Sequence, residues 1–446
     1  MISNFEEFQS DDAIIWDNRG YSYEWLLKSV SEWRSRLRCE GVGPGKVATL
    51  EADYSPNAIS LFLALLEEGN IVVPLTSVAQ KKKEEFSKIA QVEVSCRIAS
   101  DDCGEIRHMD CLAGHELYGK LRGRKHPGVV LFSSGSTGKS KAILHDMVFV
   151  LEKFKERRHR YRTIPFLLFD HIGGLNTMLY TLSNGGSLVV TEGRSPDDVS
   201  RVIEQHRVEL LPASPTFLNL ILLSEVYKDY DLSSLKIITY GTEPMQKSTL
   251  VRFHRLFPEA QLLQTYGLSE LGILSSKSKN SDSLWVKVGG AGFQSRIVEG
   301  ILHIRAKSAM MGYLNAPNPF VDDGWFVTGD MVEQDGEYIR FLGRSSEIIN
   351  VGGEKVFPSE VESVIQELDN IAEVTVFGEF NPIVGQIVCA KVRLIHAEDA
   401  KSVNIRIKRH CGKLMERYKV PAKTFVSEDK LYNNRFKKTR EKSEWL

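Results

Sequence analysis

The sequence predicts an α/β fold. A large N-terminal domain holds two parallel-type α/β sheet subdomains and an antiparallel β subdomain, and a small α+β C-terminal domain follows. Three observations predict it. First, short β-type runs bounded by turn residues (Val47–Leu50, Ile71–Pro74, Gly128–Ser133, Ser187–Thr191, Glu209–Pro212, Lys236–Tyr240) alternate with amphipathic stretches such as Pro56–Glu68 and Pro196–His206. Strand and helix alternating in this way build parallel sheets covered by helices. Second, from about Leu284 the segments VKVGGAGFQSRIVEGILHIRA and DGEYIRFLGR alternate apolar and polar residues and are dense in Gly and Asp, the pattern of antiparallel strands and hairpins. Third, the pattern changes again after Gly343-Arg344. Pro358–Leu368 reads as a helix, with Ser359 as cap and Glu362 three residues on. Glu373–Phe377 and Gln386–Leu394 read as strands, and Asn404–Tyr418 reads as a helix ending before Pro421. The domains are therefore placed at 1–344 and 345–446, joined by a short hinge at Ser345–Glu347.

Composition narrows the function. Among 446 residues, Lys+Arg number 57 and Asp+Glu 58, a net charge of −1. The basic surplus of a protein that binds nucleic acid by counterion release is missing. Hydrophobic residues make up 42%, too many for a disordered chain. The longest apolar run, Ala58–Leu66, falls short of the ~20 residues a bilayer needs, so no membrane span is expected. The six cysteines form no C-x-x-C pair and no zinc-spaced cluster, and they read as free thiols. The start, MISNFEEFQSDD, lacks the basic and apolar regions of a signal peptide. A cytoplasmic protein is expected.

The most informative segment is Val129–Ala142, VVLFSSGSTGKSKA. An apolar strand leads into Ser134, Gly135, Ser136, Thr137, Gly138 and, beyond them, Lys141. Glycines let backbone approach an anion, hydroxyls and amides donate to it, and lysine supplies charge. This is a phosphate-binding loop. It is not a Walker loop, because the position of that motif's first glycine is Ser133.

The loop resembles the signature of the adenylate-forming superfamily, [YF]-T-S-G-[ST]-T-G-x-P-K-G. Ser133 stands for Thr, Ser140 for Pro and Ala142 for Gly, and Lys141 falls on the family lysine. Further motifs follow in the family's order. Tyr240-Gly241-Thr242-Glu243-Pro244 is similar to the adenine-packing turn, and Tyr266-Gly267-Leu268-Ser269-Glu270 to Y-G-x-[ST]-E. Gly324–Asp330 is similar to G-W-[FY]-x-T-G-D. Gly343-Arg344, Glu347, Gly352-Gly353-Glu354-Lys355-Val356 and Pro358–Glu362 resemble the domain-crossover segment.

The resemblance implies ATP-dependent activation of a carboxylic acid to an acyl-adenylate with release of pyrophosphate, then transfer to the thiol of CoA. ATP, Mg2+ and CoA are the implied cofactors and co-substrates. Ser134, Gly135, Ser136, Thr137, Gly138 and Lys141 would cradle the β- and γ-phosphates. Gly241, Thr242, Glu243, Tyr266 and Gly267 would surround adenine, with Tyr266 stacked on it, and Thr265 would contact the α-phosphate. Glu270 would ligate magnesium, a hard ion that takes carboxylate oxygen. Asp330 would accept from both ribose hydroxyls, with Arg344 beside ribose and phosphate. The C-terminal domain would pivot between the half-reactions, bringing Gly352 and Gly353 to the pantetheine channel. The family's adenylation lysine lies in P-x-x-x-x-G-K-[IV]-x-R. Here Tyr432 replaces the proline and Phe436 the glycine. The K-x-x-R spacing selects Lys437, whereas counting from the proline position at Tyr432 selects Lys438.

For the acid, Phe169-Asp170-His171-Ile172-Gly173-Gly174 allows two alignments. His171 fits the aromatic-His-x-x-G segment beside the acyl group of acyl-CoA synthetases. A one-residue shift puts Asp170 where amino-acid-activating domains pair an ammonium. An acyl-CoA synthetase acting on a small carboxylic acid is the leading reading. One alternative is a stand-alone adenylation enzyme loading a carrier protein, and another is a non-catalytic binder of ATP or acyl-adenylate.

Overall fold

The fold, taken from a computed structural model, describes residues 2–76, 80–134 and 140–439. Gly135, Ser136, Thr137 and Gly138 lie outside the described residues, so the phosphate loop is seen only through its flanking strands. One seven-stranded sheet has the order 261–264, 237–240, 210–213, 162–163, 187–189, 12–16, 19–22. Its strands pair in parallel except at the 12–16/19–22 hairpin. The second runs 312–313, 140–146, 128–134, 71–75, 47–51, 94–98, 104–108. Its centre is parallel, and antiparallel strands flank it on both sides. The helices Pro56–Glu67 and Ile172–Ser183 share one core with residues of both sheets, among them Ile14, Leu188, Leu50 and Val72.

Local chemistry fixes where the helices start. Three begin at a Ser-Pro step: Ser55-Pro56, Ser195-Pro196 and Ser214-Pro215. In each the serine hydroxyl accepts a backbone N–H of the first turn. Proline in the first turn costs no hydrogen bond there, and the serine satisfies an orphan donor. Ser195 and Asp198 complete a reciprocal capping box.

From Ser276 to Arg344 the chain forms the expected antiparallel sheet, in the order 276–278, 286–288, 338–344, 325–335, 301–306, 293–298. After a short turn at Ser345–Glu347, a separate five-stranded sheet forms from 349–351, 354–356, 371–381, 385–394 and 423–426. The helices Pro358–Ile365 and Ala400–Leu414 pack on it. Three expectations need correction here. Ser359 does not cap the 358–365 helix. The cap position is Phe357, without a side-chain bond, and the Ser359 hydroxyl donates to the Leu342 carbonyl. Glu362 does not reach back to the helix start either. It is buried, accepts the Val376 N–H at 3.0 Å, and pairs with Lys438. The last helix starts at Ala400 rather than Asn404, because Asp399 supplies the cap. Among the described residues no helix is long and apolar enough to cross a membrane.

Gly174 shows how tightly the site's scaffold is packed. A Cβ there would lie 2.0 Å from the Leu168 carbonyl oxygen and 2.4 Å from that of Leu167. The contacts are backbone, so nothing flexible can yield. Gly174→Ala should destabilise the protein by about 1–3 kcal/mol or more, read as a lower urea midpoint at unchanged slope. A wild-type midpoint would contradict this packing.

Candidate active site

The site forms where the large domain's strand ends meet the C-terminal loop 431–439. On the antiparallel side Asp330 is buried. Its Oδ1 pairs with Arg344 Nε at 2.7 Å, and its Oδ2 accepts from the Tyr266 hydroxyl at 2.6 Å. Thr328 braces this turn, accepting the Asp330 N–H at 3.0 Å while its hydroxyl donates to the Leu302 carbonyl. Burial raises the Asp330 carboxyl pKa, opposed by Arg344 and by the Tyr266 bond. Each carboxylate oxygen still has a second lone pair for a diol. One face of the Tyr266 ring stacks on Phe341, centroids 4.5 Å apart, so adenine could use only the other.

Lys141, Glu270 and Tyr313 form a second group. The Tyr313 hydroxyl donates to Glu270 Oε1 at 2.8 Å, and Lys141 Nζ sits 4.9 Å from the Tyr313 ring centroid. The strands 140–146 and 312–313 are paired, so the lysine and the tyrosine are held by one sheet edge. Tyr313 belongs to no motif, and only the strand pairing reveals it. Glu270 offers hard carboxylate oxygen, with the Tyr313 bond on Oε1 alone, a donor that fits a magnesium ion as one protein ligand.

Gly241, Thr242 and Thr265 make a tight cradle. A Cβ on Gly241 would meet the Thr265 carbonyl at 2.6 Å and its Oγ1 at 2.7 Å, so only glycine fits. Thr242 follows with φ +74°. The Thr265 hydroxyl donates to the Tyr240 carbonyl at 3.2 Å. Gly267 lies against Gly272 and Ile273 in a short strand pair. Glu243 follows Thr242 in the same turn, and its carboxylate is bonded to backbone. Its Oε1 accepts the Thr216 N–H at 2.8 Å and its Oε2 the Lys438 N–H at 3.0 Å. The carboxylate fastens a helix start to the C-terminal loop.

That loop carries Lys437 into the large domain. Its Nζ lies 3.4 Å from His171 Nε2. His171 caps the 172–183 helix, its Nδ1 accepting the Gly173 N–H at 3.0 Å. The ring is buried, which pushes its pKa well below 6.5, and the cations Lys437 and Arg435 push the same way. It is therefore neutral, and with Nδ1 accepting, its proton sits on Nε2. That N–H offers the Lys437 ammonium no acceptor, so the contact is not a hydrogen bond while the lysine is charged. Desolvation lowers Lys437 to about 8, opposed by Glu243 and reinforced by Arg435 and Arg344.

Lys438 points elsewhere. Its Nζ pairs with Glu362 Oε2 at 2.9 Å, inside the C-terminal domain. Of the two lysines the sequence leaves open, Lys437 is the one brought to His171. Phe436 stands where the family has glycine, and its φ is +55°. The left-handed conformation costs a non-glycine residue about 1–2 kcal/mol. Its ring packs against Phe166, Phe217 and Tyr432, and its carbonyl accepts from Ser214 at 2.7 Å. Asp170 lies beside His171 and accepts from Thr76 at 2.6 Å and from Arg435 at 2.7 Å, both on Oδ2. Gly352 and Gly353 are not brought here. They form an exposed hairpin turn with φ +61° and +94°.

With this geometry in hand, similarity to known proteins places the chain. The AMP-binding enzyme family profile matches residues 3–314, and that of the AMP-binding enzyme C-terminal domain matches residues 360–439. The chain belongs to the AMP-binding enzyme family, within the adenylate-forming superfamily. It is 31% identical over 298 residues to indoleacetate–CoA ligase of Aromatoleum aromaticum, a match covering 60% of this chain and 58% of that protein. It is 26% identical over 441 residues to long-chain-fatty-acid–CoA ligase FadD13 of Mycobacterium tuberculosis, covering 88% and 86%. The fold is that of the anthranilate CoA ligase AuaEII solved with anthranoyl-AMP: TM-score 0.82 at 18% identity, covering 98% and 95% of the two chains.

The two lysines should separate in a stability measurement. Lys438→Ala would leave the buried Glu362 carboxylate without its cation, at a cost of about 3–5 kcal/mol. Lys437→Ala would remove a desolvated cation and leave stability unchanged or raised. Urea unfolding of both variants checks this, and equal losses would contradict the assignment.

Proposed function

We propose that this chain is an AMP-forming acid–thiol ligase of the acyl-CoA synthetase type. The observation that carries the reading is the convergence of Lys437 with His171 on one side, and of Asp330 with Arg344 and Tyr266 on the other. The relatives named above, both CoA ligases, support it.

In the first step an acid carboxylate oxygen attacks the α-phosphorus of ATP. The new O–P bond forms as the bond to pyrophosphate breaks. Lys437 lies where charge grows on the attacked phosphate and the carboxylate, and as a cation it stabilises both. Lys141, steadied by Tyr313, would offset the charge of the leaving pyrophosphate. Asp330 and Arg344 hold the ribose. Glu270 would hold magnesium, which supplies Lewis-acid neutralisation of the phosphates when bound. Burial around His171 keeps water from the mixed anhydride. In the second step a thiol sulfur attacks the acyl carbon, and AMP leaves with the bridging oxygen. For that step we propose that domain 345–446 turns about Ser345–Glu347 relative to 1–344, withdraws Lys437 and brings the Gly352-Gly353 hairpin in.

CoA is the proposed thiol, with a carrier protein as the alternative. The proposed substrate class is a simple carboxylic acid rather than an amino acid, and one contact supports that choice. Asp170, the residue that would pair an ammonium, already holds the Arg435 guanidinium.

Two outcomes are expected. Pyrophosphate release with ATP and magnesium, across fatty, aryl, succinylbenzoate-like and amino acids with and without CoA, should show turnover of one non-amino acid class ending in an acyl-CoA. Lys437→Ala should slow that release by about 10²-fold or more and spare thiolation of supplied acyl-adenylate. Turnover confined to amino acids, or ATP binding without pyrophosphate release, would overturn the reading. The second concerns pH. A lysine lowered to about 8 is cationic below that pH and neutral above it. kcat/KM for pyrophosphate release should therefore hold at lower pH and fall as pH rises through about 8. Lys437→Arg should move that limb upward, because arginine stays charged. A limb that does not move would remove Lys437 from the step.

A further inference from the structure

Arg435 is two residues from Lys437 and belongs to no motif. Its guanidinium crosses from the C-terminal loop to Asp170 Oδ2 at 2.7 Å. The two ends differ in exposure, since the Asp170 side chain is 6% exposed and that of Arg435 40%. Thr76 donates to the same oxygen at 2.6 Å. Among the described residues, these are the hydrogen-bond donors that the Asp170 carboxylate has.

A buried carboxylate bonded to one hydroxyl and to no cation is costly, and Arg194, which acts on Asp170 electrostatically without a hydrogen bond, offsets only part of that cost. Insertion of the loop removes that penalty, and withdrawal restores it. The chain geometry then transmits the effect. Asp170 and His171 are adjacent, and Arg435 and Lys437 flank Phe436. The same insertion that seats Arg435 on Asp170 seats Lys437 on His171. Arg194 adds a second tie from the large domain, its Nη2 donating to the Asn434 carbonyl at 3.0 Å while the guanidinium lies 5.7 Å from the Phe436 ring centroid.

We propose that Arg435 and Asp170 form an interdomain charge latch that positions Lys437 for adenylation and must open before thiolation. Arg435 is a positioning residue, since it acts through the loop and not on the reacting atoms. The reaction it serves is the one proposed above, and the latch rests on that reading for its catalytic meaning.

The test uses the full chain with Arg435→Gln, Asp170→Asn and the double variant. Amide hydrogen exchange across 431–439 is followed without ligands. These amides are held by Asn433 N–H to the Lys437 carbonyl, Thr439 N–H to the Leu431 carbonyl and Lys438 N–H to Glu243. Each single variant should raise exchange in this segment by about tenfold, and the double variant by no more than either single. Arg435→Gln should lower kcat for pyrophosphate release while thiolation of supplied acyl-adenylate is unchanged or faster. Arg435→Lys should restore part of both effects. Unchanged exchange in Arg435→Gln, additive effects in the double variant, or equal loss in both half-reactions would overturn the latch. If the wild-type chain releases no pyrophosphate with any acid, the proposed function fails, and the exchange measurement still decides whether the latch exists.

Discussion

The site depends on placing a lysine ammonium in a desolvated pocket of a different domain. A cation in such a place is unstable on its own, and the surrounding residues answer that problem. His171 is kept neutral by burial and by capping the 172–183 helix. Glu243 lowers the cost electrostatically and grips the Lys438 backbone. Phe436 accepts a left-handed backbone so that its ring can fill an aromatic pocket of the large domain. The loop is inserted because many modest contacts outweigh one unfavourable burial.

The same arrangement divides two neighbouring lysines by role. Lys438 is held by Glu362, whose other oxygen accepts from the 371–381 strand, so it ties the loop to its own domain. Lys437, one residue earlier, is thereby turned outward across the interface. The buried glutamate of a helix thus decides which lysine reaches the large domain. On the nucleotide side, Asp330, Arg344 and Tyr266 already form a closed polar group. A ribose would meet donors and acceptors fixed in advance, the kind of preorganisation that lowers the cost of binding.

Much of the fold was legible in the sequence. Strands such as 47–51, 71–75 and 237–240 carry their own apolar pattern and turn residues, and the Ser-Pro helix starts are local signals. The antiparallel texture after Leu284 was equally local. The motifs gave the family and pointed to Asp330, Arg344, Lys141 and Glu270. What escaped was set by tertiary pairing. Tyr313 reaches Glu270 only because 312–313 pairs with 140–146. Ser359 read as a cap because its spacing to Glu362 suits one, yet Glu362 is drawn to a buried partner instead. The choice between Lys437 and Lys438 depended on that same partner, which no local pattern reveals. Arg435 and Asp170 are 265 residues apart, and neither spacing nor composition joins them.

The central claim is that the acid is activated by bonding its oxygen to the α-phosphorus. The most direct measurement uses an acid that supports pyrophosphate release, labelled with oxygen-18 in both carboxylate oxygens, with ATP, magnesium and CoA. Mass analysis of the AMP formed should show one labelled oxygen per molecule, carried over from the bridging position of the acyl-adenylate. AMP free of label, with both labelled oxygens elsewhere, would contradict the account.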